Sequence, residues 1–473
     1  MKPSPRVTRT RAGEDLRRHV RRSCSTGRYQ RWEGEDATAA YRPNATKGRR
    51  ELPDLTAARI EPATEEPGVE ARPLWRRCVE ALVPPLVALV AGWALIAGRS
   101  PYGGWRLLDP LSYARWDSGL YVHIARSGYF AVSCTQHTSQ APPGTYLCGT
   151  ISWFPGYPFA IRALSTVTGL SLDVAGLVIA WACWYLVLVL MWRLLADARS
   201  ASTRWVCLLI AAFFPGQVYF AAMFPISLCV AAILGCLYLA LRPYRPALAW
   251  AGFAAGFVAG YSYLTAIVLV PALLVTGLLV LRGRSRLQAI IPAAGAAAGF
   301  AAVLLTMQAA VGIWNAYFIS ARRWGVGGHN PLDTLIKRLR PFWTPLPTGS
   351  YVWHYAAAQT LFTLCFVGLV CVVTLIGAVR GQHAVEVPHR GWAAAIQRRI
   401  STFDLTFLLM TLGVWVVPYV AGGSLSTYRS EAFVIVSVPL LRRLPAWLLV
   451  VPLGAAVWVA WQMAPYFFNG KLI

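Results

Sequence analysis

Long apolar runs recur from residue 77 to residue 463, and they exclude a soluble globular fold. A helix of about 20 mostly apolar residues crosses a bilayer. Only helices and closed barrels satisfy their backbone there. Helical spans are read at 77–98, 172–195, 205–222, 224–241, 247–262, 263–281, 288–313, 356–378, 404–420, 430–441 and 445–463. The fold class expected is therefore an all-α integral membrane protein with about eleven transmembrane helices. Composition agrees: 56% of residues are hydrophobic and 14% charged, where soluble domains carry roughly a quarter charged residues.

Charge sets the expected topology. Residues 1–75 are rich in Arg, Glu and Pro, poor in aliphatic residues, and lack an early apolar stretch of the signal-peptide kind. They read as a disordered, basic cytoplasmic tail, followed by a membrane domain over 76–473. With the N-terminus cytoplasmic, the connections Arg193–Arg204, Arg242–Arg245, Arg282–Arg286, Arg380–Arg399 and Arg442–Arg443 fall inside. All carry Arg clusters, as the positive-inside rule requires. Two long connections then lie outside, at about 99–171 and 314–355. The second holds Arg322, Arg323, Lys337, Arg338 and Arg340 against the rule, which points to an anionic ligand. Arg clusters scattered between spans, rather than gathered on one face, argue against nucleic acid as a partner.

The first outer connection carries the most chemistry. Asp109 followed by Pro110 reads as a helix cap, and Gly128 as a helix stop. Between them Tyr113, Trp116, Leu120 and Ile124 recur at helical spacing, so an amphipathic helix along the membrane surface is expected. Residues 81–473 hold eight carboxylates: Asp109, Asp117, Asp173, Asp197, Asp333, Glu386, Asp404 and Glu431. Asp109 fits a capping role. Asp117 reads either as a surface carboxylate paired with Arg115 or Arg126, or as a functional anion among aromatic residues. The functional reading is preferred, since an anion at that depth is costly without a role. His123 is a second-rank candidate. The stretch ISWFPGYPFAIRALS over 151–165 reads as an aromatic belt or as a sugar- or lipid-facing wall, with a helix beginning near Pro158.

Cys134 and Cys148 flank a polar stretch of that same connection. A disulfide is expected if the segment faces an oxidising compartment, and a reduced pair otherwise. No His/Cys cluster suggests a metal, and there is no P-loop, no dinucleotide fingerprint and no DxD. No cofactor or metal is required by these patterns, and the oligomeric state is left open.

The segment RWDSGLYVHIARSGY resembles the signature of the phosphatidylinositol-glycan class V (PIG-V) type mannosyltransferases and their bacterial relatives, a branch of the GT-C glycosyltransferases. The matching residues are Trp116, Asp117, Tyr121, Ile124, Ala125, Gly128 and Tyr129. Further landmarks resemble Phe154, Pro155, Tyr157 and Pro158, then Phe214, Pro215, Tyr219, Phe220 and Ser227, then Tyr428, Arg429 and Phe433. The chain departs from the pattern at Ile226, where the family carries Glu, and at Tyr263, where it often carries Arg.

The resemblance implies a GT-C-like bundle with a large extracytoplasmic first loop holding the catalytic carboxylate. It implies a polyprenyl-phosphate mannose donor, an inverting transfer, and a glycolipid or envelope glycan as acceptor. Asp117 is then the general base. Arg429 is the first choice for the phosphate, with Arg322 and Arg323 behind it; lipid headgroup contact is the bland alternative for that pair. Trp116, Tyr121, His123, Phe154, Tyr157 and Ser227 complete the expected substrate-binding set. Arg greatly outnumbers Lys, a bias of bacteria with G+C-rich genomes, so a multi-pass bacterial plasma membrane is expected. Two rival readings stand: a transporter or flippase for a lipid-linked saccharide, and a non-catalytic partner that kept the fold.

Overall fold

A computed structural model describes residues 73–102, 104–134, 147–323, 325–345, 351–380, 400–422 and 427–471. These residues belong to one unit, Ala71–Ile473. The expected tail lies almost wholly outside the described residues, as do Glu386 and most of the 380–399 connection.

The first helix, α1 (Leu74–Arg99), contains Pro84 and Pro85. Proline has no N–H, so Pro84 strips the carbonyl four residues earlier of its helical partner. That carbonyl belongs to Glu80, and it accepts a hydrogen bond of 2.9 Å from the indole of Trp192 on α4 (Leu172–Leu194). The Leu82 carbonyl likewise accepts from Tyr185 of α4, at 3.0 Å. Leu82, Val83, Leu86, Val87 and Val90 stay exposed on the other side of α1, as a lipid-facing stripe would. Among the described residues, six helices are long and apolar enough to cross a membrane: α1, α4, α10 (Leu287–Val311, extended to Gly283 by a 3₁₀ turn), α13 (Tyr351–Val379), α14 (Thr402–Ala421) and α16 (Ala446–Phe468). The chain is therefore an integral membrane protein.

The other five expected spans fall on shorter or broken helices. The stretch expected as one span over 205–222 is interrupted. Helix α5 (Ala201–Ala212) stops before Phe213, and a single turn, α6 (Val218–Ala221), precedes α7 (Ile226–Ala240). Pro215 cannot continue the helix, and Gly216 takes φ 86°, a left-handed conformation that glycine adopts freely. A Cβ at Gly216 would lie 2.9 Å from the Ala432 Cβ, so the backbone needs the missing side chain. Trp181 of α4 donates to the Ala221 carbonyl at 2.9 Å and satisfies part of the broken backbone.

Helices α8 (Pro246–Ser262) and α10 meet through small residues. Gly252, Gly256 and Gly260 face Pro292 and Ala296, while Gly295 and Gly299 face the backbone of Phe253 and Phe257. A Cβ on Gly256 would stand 2.5 Å from the Pro292 carbonyl. This small-xxx-small packing brings the two backbones into contact and replaces the hydrophobic drive that lipid cannot supply. After α8 the chain continues through Leu264–Val268 as 3₁₀, then α9 (Leu269–Val275), then a π turn.

The first long connection departs from expectation. Asp109 does cap a helix, accepting from the Leu111 N–H at 3.0 Å, but the helix is a 3₁₀ turn ending at Tyr113. A separate helix, α2 (Asp117–Ser127), starts after a break and closes at Gly128. So the expected single amphipathic helix is two elements. The residue between them, Trp116, has φ 41°, the only positive φ on a described non-glycine residue. Beyond α2, strands β1 (Ala131–Ser133) and β2 (Leu147–Gly149) pair antiparallel, and α3 (Gly156–Thr168) follows.

The last third builds the other side of the molecule. Helix α11 (Ala316–Arg322) and amphipathic α12 (Pro331–Leu339) precede α13. After α14, a five-residue turn α15 (Thr427–Glu431) leads into a buried 3₁₀ segment, Ala432–Arg443, and then α16.

Candidate functional site

A cavity of about 240 Å³ opens between α2, the β2–α3 connection, the break before α7, the start of the 264–280 segment, α11, the end of α14 and α15. Its walls are largely aromatic: Tyr121, Trp153, Phe154, Phe224, Tyr263 and Tyr317. Among the described lining residues, Asp117 is the one carboxylate and Arg429 the one cation.

These two residues form a salt bridge, Arg429 Nη1 to Asp117 Oδ2. They are 312 positions apart in the chain. Asp117 is the first residue of α2, so its carboxylate sits at a helix N-terminus, where the helix dipole favours negative charge. Its side chain keeps 21% of its surface exposed, against 10% for Arg429. The pairing with Arg115 or Arg126 is not the one observed. Arg115 instead binds the Phe468 carbonyl at the end of α16, at 3.1 and 3.2 Å.

Arg429 is held from several sides. Its guanidinium lies 5.4 Å from the Phe224 ring centroid, within cation–π range. The Tyr428 carbonyl accepts from Gln359 of α13 at 2.6 Å. Glu431, two residues on, is 1% exposed and accepts from Thr360 of α13 at 2.7 Å and Tyr419 of α14 at 2.8 Å. Arg338 of α12 acts on this group through its charge. Burial lowers the Arg338 guanidinium from its ordinary value, and the charge of Glu431 works in the opposite direction.

Tyr121 packs edge-on against Tyr157 and Phe224, at 5.4 and 6.2 Å. Burial, followed by the charge of Asp117, holds its phenol well above the ordinary value. Tyr121 and Asp117 line the same cavity. Phe154 meets Tyr317 edge-on at 4.9 Å. Tyr263 stacks on Phe433 at 5.0 Å and lines the cavity with Arg429 and Asp117.

Of the residues singled out from sequence, the cavity gathers Asp117, Tyr121, Phe154 and Arg429. Ile226 and Tyr263, the two departures, also line it. The rest lie elsewhere. Trp116 packs on Phe467 at 5.8 Å. Tyr157 is buried and donates to the Gly176 carbonyl at 2.8 Å. Ser227 is buried in α7. His123 is exposed and rests edge-on against Phe130 at 5.6 Å. Arg322 is exposed at the end of α11. Arg323 reaches Cys148 Sγ, which forms a disulfide with Cys134. Sequence reasoning overlooked Tyr317, Phe224 and Glu431. Glu431 could have been found, being one of eight carboxylates and two positions from Arg429. No local signal marks Tyr317 or Phe224.

The fold and cavity together define a polytopic helical membrane protein with a carboxylate–guanidinium ion pair among the described residues lining an aromatic chamber. No family model and no curated protein matches the chain. Among solved structures, ArnT from Cupriavidus metallidurans bound to undecaprenyl phosphate aligns at 13% identity and a TM-score of 0.44, over 82% of this chain and 76% of that one. The archaeal oligosaccharyltransferase AglB from Archaeoglobus fulgidus, in complex with an inhibitory peptide and a dolichol-phosphate, aligns at 11% identity and a TM-score of 0.44, over 84% of this chain and 56% of that one. An Archaeoglobus fulgidus oligosaccharyltransferase in complex with Zn and sulfate aligns at 12% and 0.43, over 80% and 53%. The chain thus spans just over half the length of the two archaeal proteins. Likeness at this level carries no assignment of activity.

Proposed function

We propose that this protein is a GT-C-type membrane glycosyltransferase, moving a hexose from a polyprenyl-phosphate donor to an extracytoplasmic glycolipid or envelope glycan. The resemblance of residues 115–129 to the PIG-V motif supports mannose as the sugar. The observation that carries the reading is the meeting of Asp117 and Arg429 in one aromatic-walled cavity. The sequence motifs assign these two residues complementary roles in one reaction.

The chemistry follows from the pair. The acceptor hydroxyl attacks the anomeric carbon of the donor, and its proton passes to the Asp117 carboxylate. The bond between that carbon and the phosphate oxygen breaks, and the electron pair leaves on the polyprenyl phosphate. Arg429 stabilises the charge that develops there. Attack opposite the leaving phosphate inverts the anomeric configuration. Tyr121, Phe154 and Tyr263 offer ring faces and hydroxyls to the sugar. Arg322 and Arg323 lie outside the cavity lining, which leaves Arg429 as the principal phosphate ligand in this reading.

One observation favours a second reading. Ile226 lines the cavity where the family pattern has Glu, so the chamber has a single carboxylate among its described lining residues. A non-catalytic partner that kept the fold would show the same loss. The deciding assay incubates membranes carrying wild type or Asp117→Asn with labelled polyprenyl-phosphate mannose and host lipids. Transfer that depends on Asp117 supports the enzyme. Folded wild type that binds the donor without turnover moves the assignment to the scaffold or to a flippase.

A further inference from the structure

We infer that Asp117 occupies the donor's phosphate site in the free protein, so that carboxylate and phosphate are mutually exclusive claimants of Arg429. This rests on the reading of Arg429 as a phosphate ligand and adds to it. Arg429 gives Nη1 to Asp117 Oδ2, and no other described cation lines the cavity to take either anion instead. Guanidinium forks bind carboxylate and phosphate with the same geometry, so each is a competent substitute for the other. Two anions side by side in an aromatic, half-closed chamber repel more strongly than in water.

The surroundings fit an exchange rather than a fixed bridge. Arg429 stays in place without Asp117, because its backbone turn is tied to α13 and α14 through Tyr428 and Glu431, and its guanidinium lies by Phe224. Asp117 stays stabilised without Arg429, because it opens an 11-residue helix. An arriving phosphate therefore takes the arginine and leaves the carboxylate unpaired, still at the cavity wall. A carboxylate in an arginine bridge is a poor base. Seating the donor thus uncovers the base, and binding of the donor precedes proton removal from the acceptor.

The test measures affinity, not turnover. The full chain in lipid nanodiscs is titrated with a sugar-free polyprenyl monophosphate, for wild type, Asp117→Asn, Arg429→Gln and the double variant. Asp117→Ala serves as a second charge-removing variant, and thermal unfolding checks each protein. The expected result is a gain of about tenfold in affinity for Asp117→Asn over wild type, equivalent to ~1.4 kcal/mol. That gain should vanish in the Arg429→Gln background, since the two residues then no longer share a ligand. Equal or weaker binding by both charge-removing variants overturns self-occupancy while leaving the phosphate site standing. A gain that persists without Arg429 overturns it in favour of simple repulsion. No binding by any protein, wild type included, sinks the phosphate reading and the inference together.

Discussion

Tyr419 donates a 2.8 Å hydrogen bond to the same Glu431 oxygen that accepts from Thr360. Helices α14 and α13 thereby clamp the turn that presents Arg429. A glutamine in place of Glu431 keeps an oxygen for both donors, whereas alanine leaves both hydroxyls without it. Glu431→Ala should raise the donor KM about fivefold to a hundredfold, matching a loss of roughly 1–3 kcal/mol from hydroxyls left unsatisfied. Glu431→Gln should recover most of it. Steady-state kinetics on both variants decide the matter. Equal damage from Gln and Ala would instead mean that the charge shared with Arg338 holds the turn.

Tyr263 separates stacking from hydroxyl chemistry. Tyr263→Phe keeps the ring on Phe433 and removes only the hydroxyl of a residue that lines the cavity with Arg429 and Asp117. Transfer rate should fall by about a hundredfold to a thousandfold with stability unchanged, the range for one preorganised donor removed from a reacting site. Single-turnover transfer and thermal unfolding, measured together, check this. An unchanged rate would relegate Tyr263 to the wall.

Asp404 is 3% exposed and binds two arginines, Arg442 at 2.7 Å and Arg443 at 2.6 Å. Removing one partner of such a set strands charge in a dry place. Asp404→Ala should cost about 3–5 kcal/mol and lower the yield of folded protein. Detergent-solubilised unfolding curves provide the measure. The donor KM of whatever folds should stay near the wild-type value, because none of the three residues lines the cavity.

Gly256→Leu places a side chain where even a Cβ would stand 2.5 Å from the Pro292 carbonyl. Helices α8 and α10 must separate to admit it. The variant should be markedly less stable, whereas Gly454→Ala, with nothing within 4 Å of its added Cβ, should be neutral. Thermal unfolding of the pair gives the contrast.

Sequence periodicity located the long spans because twenty apolar residues in a row admit one solution in lipid. The boundaries of α4 and α14 fall within two residues of those expected. Periodicity does not reveal where a span breaks. Phe213–Pro225 is apolar but for Gln217, Pro215 marks where the helix must stop, and the contact of Gly216 with Ala432 shows why the backbone turns as it does there. The site was legible where chemistry is scarce. With eight carboxylates in nearly four hundred residues, an aspartate among aromatics stood out. Tyr317 and Phe224 did not, since a chain with 20 Tyr and 19 Phe gives no reason to choose them. Trp116 and Tyr157 sit beside the cavity residues in sequence but point into packing, a distinction set by side-chain direction alone.

The 3₁₀ segment Ala432–Arg443 has a mechanical consequence. A 3₁₀ helix rises about 2.0 Å per residue against about 1.5 Å for an α-helix. Its 12 residues thus reach about 24 Å, a distance that would take an α-helix about 16. One end carries the turn of Arg429 and the other the arginines on Asp404. The segment is a spacer with a fixed phase between two charged anchors. Each residue advances it by a third of a turn. A single insertion anywhere along it would rotate one anchor by about 120° against the other, and either Arg429 or Arg442 would face the wrong wall.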